Sequence, residues 1–127
     1  MGYSTERNKE MKSRVFVINE PNFRDMSSAK EFGELVTVLQ TVDAPSHSPM
    51  DCTAKIAEAL ADFDEDRDYI VWAGGDPAGL LLVGIIMGRY EIQEFNFLRW
   101  ERDRDPNGGR SNSSGRYENT RVRVPTL

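Results

Sequence analysis

The sequence has little of the chemistry on which many small proteins depend. It contains one cysteine, Cys52, and one histidine, His47, in 127 residues. A single cysteine excludes a disulfide within the chain, and this pair cannot form the Cys/His zinc clusters of small domains. Cys52 opens a predicted helix and is interpreted as an ordinary half-buried thiol. His47 lies in a proline-bounded loop and is interpreted as solvent-exposed.

Long apolar runs are also missing. The longest, residues 78–87, has ten residues, too few to span the ~30 Å hydrocarbon core of a bilayer. Residues 1–12 have no apolar core and show no secretory-signal pattern. We therefore expect a soluble protein with no membrane partner, in the reducing cytoplasm of a host cell.

Motifs for nucleophilic catalysis and nucleotide binding are absent from the sequence. There is no Gly-x-Ser-x-Gly, no P-loop and no Gly-x-Gly-x-x-Gly. The acidic run 64–68 lacks the residue pattern of a calcium-binding loop and is interpreted as a solvated connector. The sequence therefore predicts no catalytic residue, no metal and no cofactor, and favours a protein that is not an enzyme.

Charge is present but unevenly spread. Residues 1–98 hold nine Lys/Arg against seventeen Asp/Glu, a net charge of −8. Residues 99–127 hold seven Arg against four acids, a net charge of +3, which gives −5 for the chain. An acidic body with an arginine-rich C-terminal part is the most informative global feature.

Apolar periodicity predicts five strands and two helices. The predicted strands are 14–19, 35–39, 69–73, 91–102 and 116–124, and the predicted helices are 51–63, with Asp51 as its cap, and 78–90. A single helix over 28–40 is an alternative that the sequence leaves open. The helix 78–90 is apolar on every side and contains Gly79, Gly84 and Gly88. Glycine inside a helix costs about 1 kcal/mol relative to alanine, so close packing on the sheet is expected.

These elements predict a single α/β domain with a mixed, mostly parallel sheet of about five strands, two main helices and a C-terminal β-hairpin. The domain spans residues 14–124. A flexible polar tail, 1–13, precedes it, and 125–127 form the C-terminal end. A long hairpin tip is expected over 103–115, where Gly, Asn, Ser and Arg dominate.

The turn after the third strand is the first candidate site. Gly74, Gly75 and Asp76 stand between a parallel strand and a helix start, where backbone N–H groups favour an anion. Glu20 ends the first strand, and with Asp76 it offers two carboxylates for Mg²⁺. The competing interpretation is a purely structural turn, with Asp76 capping the helix and Pro77 in its first position.

The arginine-rich hairpin is the second candidate site. Arginines interleaved with aromatic rings suit single-stranded nucleic acid or an acidic protein partner. The candidate residues are Arg99, Trp100, Arg102, Arg116, Tyr117, Arg121 and Arg123. Acidic residues alternate with them, so a hairpin whose charges pair with one another is the competing interpretation.

Four segments in order complete the pattern: Val15-Phe-Val-Ile-Asn-Glu-Pro, Ala29-Lys-Glu-Phe-Gly-Glu-Leu, Asp68-Tyr-Ile-Val-Trp-Ala-Gly-Gly-Asp-Pro and Leu98-Arg-Trp-Glu-Arg. This order resembles a group of small proteins encoded by tailed bacteriophages, over roughly residues 14–124. Glu101 stands where that group tends to have Asp. The resemblance implies a phage setting and no particular activity.

Two functional hypotheses follow. The first is a non-catalytic phage accessory protein that binds a host or phage protein, or a nucleic acid, through the hairpin. The second is a nucleotide- or phosphate-binding protein, or a Mg²⁺-dependent enzyme, that acts at the turn 74–77.

Overall fold

The computed structural model describes residues 12–21, 25–40, 48–74, 76–104 and 110–123, with the side chains of 104 and 110–114 left aside. Five strands form one sheet in the order β2-β1-β3-β4-β5. The first four strands pair in parallel, and β5 pairs antiparallel to β4. The predicted mixed α/β sheet with a C-terminal hairpin is therefore confirmed.

The elements have the following bounds. They are β1 Arg14–Asn19, a 3-10 turn Ala29–Glu31, β2 Glu34–Leu39, α1 Pro49–Ala59, β3 Tyr69–Val71, α2 Ala78–Arg89, β4 Glu94–Arg104 and β5 Arg110–Arg123.

Side chains alternate between the two faces of the sheet, and each face has its own cover. On the helix face, Phe16, Ile18 and Ile70 pack against both helices. On the opposite face, which we call the turn face, strand residues such as Val17 and Leu98 pack under the segment around the 3-10 turn. The alternation explains why β1 is buried on both sides.

The connections explain the strand order. The β1–β2 connection crosses the turn face, while α1 and α2 cross the helix face in the opposite direction along the sheet. All three parallel crossovers consequently have the same hand, as the right-handed rule requires. The chain reverses direction between β1 and β3, so the carboxyl ends of these two strands flank the switch crevice of the sheet.

Several boundaries differ from the predicted ones. Residues 34–39 are a strand, which rules out one continuous helix over 28–40. Helix α1 begins at Pro49, so Asp51 lies in its first turn and is not its cap, and the helix ends at Ala59. Both hairpin strands run further into 103–115 than expected, with Arg104 paired to Arg110. Residues 1–11, 105–109 and 124–127 lie outside the described part of the chain.

A buried ion pair closes the amino edge of the sheet. The Asp68 side chain is fully buried and accepts hydrogen bonds from the Arg14 N–H (3.1 Å), the Arg14 guanidinium (2.9 Å) and the Asp64 N–H (2.9 Å). The predicted solvated connector 64–68 is therefore wrong at its last residue, because Asp68 joins the starts of β1 and β3. Burial alone would lower the pKa of Arg14, but the hydrogen bonds and charges of Asp68 and, to a smaller extent, Asp62 together outweigh burial and raise it.

We predict that Asp68→Ala lowers the free energy of unfolding by about 3–5 kcal/mol, because it leaves a half-buried guanidinium without its buried partner. The matched control is Asp62→Ala, which removes the 59% exposed second carboxylate near Arg14. The control is expected to cost about 0–1 kcal/mol. Urea unfolding measures both. Equal costs would contradict the assigned role of Asp68.

Candidate functional site

The switch crevice between β1 and β3 is filled by one polar side chain. Asn19, the last residue of β1, is 9% exposed. Its amide Nδ2 donates to the carbonyl oxygens of Gly74 (2.9 Å) and Asp76 (3.2 Å). The side chain thus holds the turn after β3 against the end of β1, at the edge where open α/β sheets bind their ligands.

The predicted turn residues contribute to the same contact between the end of β1 and the turn after β3, which we call the joint. Gly74 has φ +102°, a backbone conformation that favours glycine. Asp76 Oδ1 accepts a hydrogen bond from the N–H of Ala78, the first residue of α2, at 2.9 Å. Pro77 stands just before the helix and not at its first position. A Cβ added at Gly79 would lie 3.2 Å from Asn19 Oδ1, so α2 approaches β1 closely there.

The other members of the first candidate site are less closely joined. The Glu20 side chain is exposed, and the Glu20 N–H donates to the carbonyl oxygen of Leu39 at 2.9 Å, which ties the end of β1 to β2. Gly75 and His47 lie outside the described residues. Cys52 is buried in the core under α1. Within the described ranges, no three His, Cys, Asp or Glu side chains are placed to hold a metal ion.

The described arginines of the hairpin contact acidic groups of the same chain. Arg121 donates to Glu94 (2.8 Å) and forms an ion pair with Asp66 (3.3 Å), and Arg123 also donates to Glu94 (2.9 Å). Further pairs join Arg99 to Glu101 and Arg116 to Glu118. Arg102 is exposed. The surface is therefore a network of ion pairs and not a continuous cationic patch.

Glu94 is the centre of this ion-pair network. Hydrogen bonds from Arg121 and then Arg123 hold the pKa of Glu94 below its ordinary value, because both stabilise the carboxylate form. The three residues lie on the turn face, where Arg121 also donates to Asn96 Oδ1 (3.2 Å). The ion-pair network thereby fixes β5 to β4 and to the acidic turn before β3.

The two aromatic candidates are structural in large part. Tyr117 is 3% exposed, and its N–H donates to Ser28 Oγ at 2.9 Å. Trp100 is half-buried and packs edge-on to Tyr117, with 5.1 Å between ring centroids. The Trp100 ring also lies over Gly115, where a Cβ would approach it to 2.9 Å. A Tyr117 ring buried to this extent is not available to stack on a base.

An uncovered apolar surface on the helix face was not among the predicted sites. Within the described ranges the two helices leave the outer flank of the sheet open, and a groove of about 260 Å³ lies there between α2 and the hairpin. Its lining is apolar and comprises Ile70, Leu80, Val83, Gly84, Phe95, Phe97 and Val122. This volume is below the ~300–1,000 Å³ of small-molecule pockets and suits protruding side chains.

Two apolar side chains of α2 are exposed on the side of the helix that carries Gly84, one of the residues lining this groove. Leu81 is 67% exposed and Ile85 is 54% exposed. With Gly84 and Gly88 they share one side of α2, at the spacing i, i+3, i+4 and i+7. We call these four residues, together with Phe95, Phe97 and Val122, the α2 face. Large exposed apolar patches are typical of interaction sites.

The glycines of α2 separate into two classes. Close approach explains Gly79, as expected from the sequence. For Gly84 and Gly88 that expectation is wrong, because no other part of the described chain lies within 4 Å of the Cβ position. Each costs the helix about 1 kcal/mol relative to alanine, and packing within the described chain does not require either.

A larger open groove of about 860 Å³ lies at the amino edge of the sheet, away from every candidate residue. Lys12, Phe32 and Arg67 are among its lining residues. No helix in the described ranges is long and apolar enough to cross a membrane.

Comparison with known families places the chain. The model of the phage Pam3 gp32-like protein family matches residues 13–106, which is more than half of the sequence. The chain belongs to this phage family. The match includes β1 to β4, both helices and most of the α2 face. It ends before β5, so Arg116, Arg121 and Arg123 lie outside it. No curated protein and no solved structure matches the chain.

We predict that Asn19→Asp destabilises the protein more than Asn19→Ala at neutral pH. Alanine leaves two carbonyl oxygens without their donor, at about 1–3 kcal/mol for each buried group. Aspartate has the shape of asparagine but places a carboxylate oxygen against those two carbonyls. Urea unfolding of both variants provides the comparison. An Asn19→Asp variant as stable as the unaltered chain would refute the assigned joint.

A second prediction concerns acid stability. Because the folded-state pKa of Glu94 is lowered, its contribution is complete above the ordinary glutamate pKa of about 4.3 and is lost as pH falls through the folded value. Unfolding free energies of the unaltered chain and Glu94→Gln, measured from neutral to acidic pH, should therefore converge in acid. A constant difference at all pH values would show that the charge of Glu94 is irrelevant.

Proposed function

We propose that this phage protein is a non-catalytic accessory protein of the host cytoplasm that works by forming a protein complex through the α2 face. The observation that carries the proposal is the exposure of Leu81 and Ile85 on the side of α2 whose Gly84 lines an apolar groove. Removing such apolar surface from water contributes about 25 cal/mol per Å². A protein surface supplies the matching apolar area.

Charge pairing favours a protein over a nucleic acid as the partner. Phosphate binding requires cations whose charge is available to the backbone. Arg121 and Arg123 already contact Glu94, and Arg99 and Arg116 already contact neighbouring glutamates. The net charge of −5 adds long-range repulsion toward a polyanion.

The turn 74–77 offers less to a nucleotide or to Mg²⁺. The carbonyl oxygens of Gly74 and Asp76 accept from Asn19, and Asp76 Oδ1 accepts from the first helical N–H. An anion at this position would compete with the Asp76 carboxylate for that amide. The interactions of the turn are accounted for by holding α2 against β1.

We predict that Leu81→Ser/Ile85→Ser removes the protein from a complex in lysates of phage-infected cells. Size-exclusion chromatography of the lysate should show the unaltered chain in an assembly larger than its 14.4 kDa monomer. The double variant should elute as a monomer that remains folded, since exposed substitutions usually change stability within about 0.5 kcal/mol.

Met50→Ser is the matched control. Met50 is 85% exposed on α1, outside the α2 face, and its variant should elute with the unaltered chain. A monomeric unaltered chain in the lysate would contradict the proposed function. So would salt-sensitive binding of single-stranded DNA that is lost in Arg121→Ala/Arg123→Ala.

A further inference from the structure

We propose that the α2 face is the interface of a homodimer in which α2 of one copy packs antiparallel on α2 of a second copy. The inference rests on the proposed function, since it names the protein that the α2 face binds. It follows from the exposed apolar ridge that Leu81 and Ile85 form on α2, from the two glycines beside this ridge and from the charges at the two ends of the helix.

The chain carries both halves of a self-complementary contact. Leu81 and Ile85 are exposed on α2, and Gly84, their neighbour on the same side of the helix, lines the groove against Phe95 and Phe97. In a two-fold interface the same surface serves both copies, so each ridge can enter the groove of the other. The groove is too small for most ligands and takes branched aliphatic side chains well.

Gly84 and Gly88 provide the second argument. Small residues on one side of a helix allow a second helix to approach closely. Neither glycine contacts another part of the described chain at its Cβ position. Close approach from outside the chain therefore gives both residues the packing role that Gly79 has within it.

Charge complementarity favours an antiparallel over a parallel arrangement of the two α2 helices. An antiparallel pairing that sets Leu81 opposite Ile85 of the second copy also sets Arg89 opposite Pro77 of that copy. Arg89 is exposed at the end of α2, and Pro77 adjoins the Asp76 carboxylate. One residue is about 1.5 Å along a helix, so the cation at one end meets the anion at the other, twice per dimer. A parallel pairing sets Arg89 against Arg89.

The experiment is sedimentation velocity of the purified full-length protein over a range of concentrations. We expect a weak dimer, with a dissociation constant on the order of micromolar, because one helix and two short strand segments form a small interface. Met50→Ser should leave the dissociation constant unchanged. Leu81→Ser should raise it at least tenfold.

Alanine variants of the glycines separate an interface role from a folding defect. Gly84→Ala and Gly88→Ala should raise the midpoint of thermal unfolding of the dilute monomer by several degrees, since alanine favours the helix. The same variants should raise the dimer dissociation constant at least tenfold. A variant that is more stable to heat and yet dimerises more weakly has not lost its structure, so the weaker dimer must come from a change at the interface.

Cysteine cross-linking tests the register. Leu81→Cys protein mixed with Ile85→Cys protein should form more disulfide dimer than either variant alone, because like positions are about 6 Å apart along the helix axis in the antiparallel pairing. Cys52 is buried and does not compete. Arg89→Glu should weaken the dimer several-fold, and Arg89→Lys should leave it nearly unchanged.

Three results would overturn the inference. They are a purified protein that stays monomeric up to its solubility limit, a dimer insensitive to the α2 variants, and preferential cross-linking of Leu81→Cys to itself. A purified monomer that nevertheless enters an α2-dependent complex in infected lysate would overturn the homodimer and leave the proposed function standing.

Discussion

Two helices cannot cover one face of a five-stranded sheet, and most features of this molecule depend on that constraint. Helices α1 and α2 cover β2, β1 and β3 and are joined where the Tyr90 hydroxyl donates to the carbonyl oxygen of Ala57. Among the described residues, no third helix lies over the flank formed by β4 and β5. As a result, the partly buried Phe95 and Phe97 and one side of α2 form an apolar surface that the described part of the chain does not cover.

The switch crevice, in contrast to this flank, is filled by the chain's own side chains. Open α/β sheets usually keep this crevice available for a ligand. Here Asn19 fills it with two hydrogen bonds to carbonyl oxygens, and Gly79 brings α2 close enough to cover the amide. A position that commonly binds small molecules has become a structural joint. We therefore assign the proposed interaction to the flank of the sheet and not to the strand ends.

Local patterns predicted much of the fold. The β-branched run Arg14–Asn19 and the sequence Gly-Gly-Asp-Pro before an apolar helix needed no distant information, and both elements formed as predicted. Long-range pairing was out of reach. Asp68 looked like one more acid in a solvated run, because nothing local shows that Arg14 lies 2.9 Å from it.

The candidate sites show the same division. Alternating charges gave pairing of the hairpin arginines with acids as one of two interpretations, but Glu94 as the shared partner of Arg121 and Arg123 followed only from the strand register. The α2 sequence is apolar on every side, which predicts cover on every side. Only the absence of a helix over β4 and β5 among the described residues turns that pattern into an exposed surface. Asn19 carried a faint signal, as the single polar residue ending a buried strand.

Hydroxyl-radical footprinting of the purified protein at low and high concentration tests the central claim most directly, because it reports side-chain exposure without any substitution. Leu81, Ile85 and Met50 are all largely exposed in one copy of the chain. The account predicts that oxidation of Leu81 and Ile85 falls as concentration rises while that of Met50 stays constant. Equal oxidation of Leu81 and Ile85 at both concentrations, or an equal fall at Met50, would contradict it.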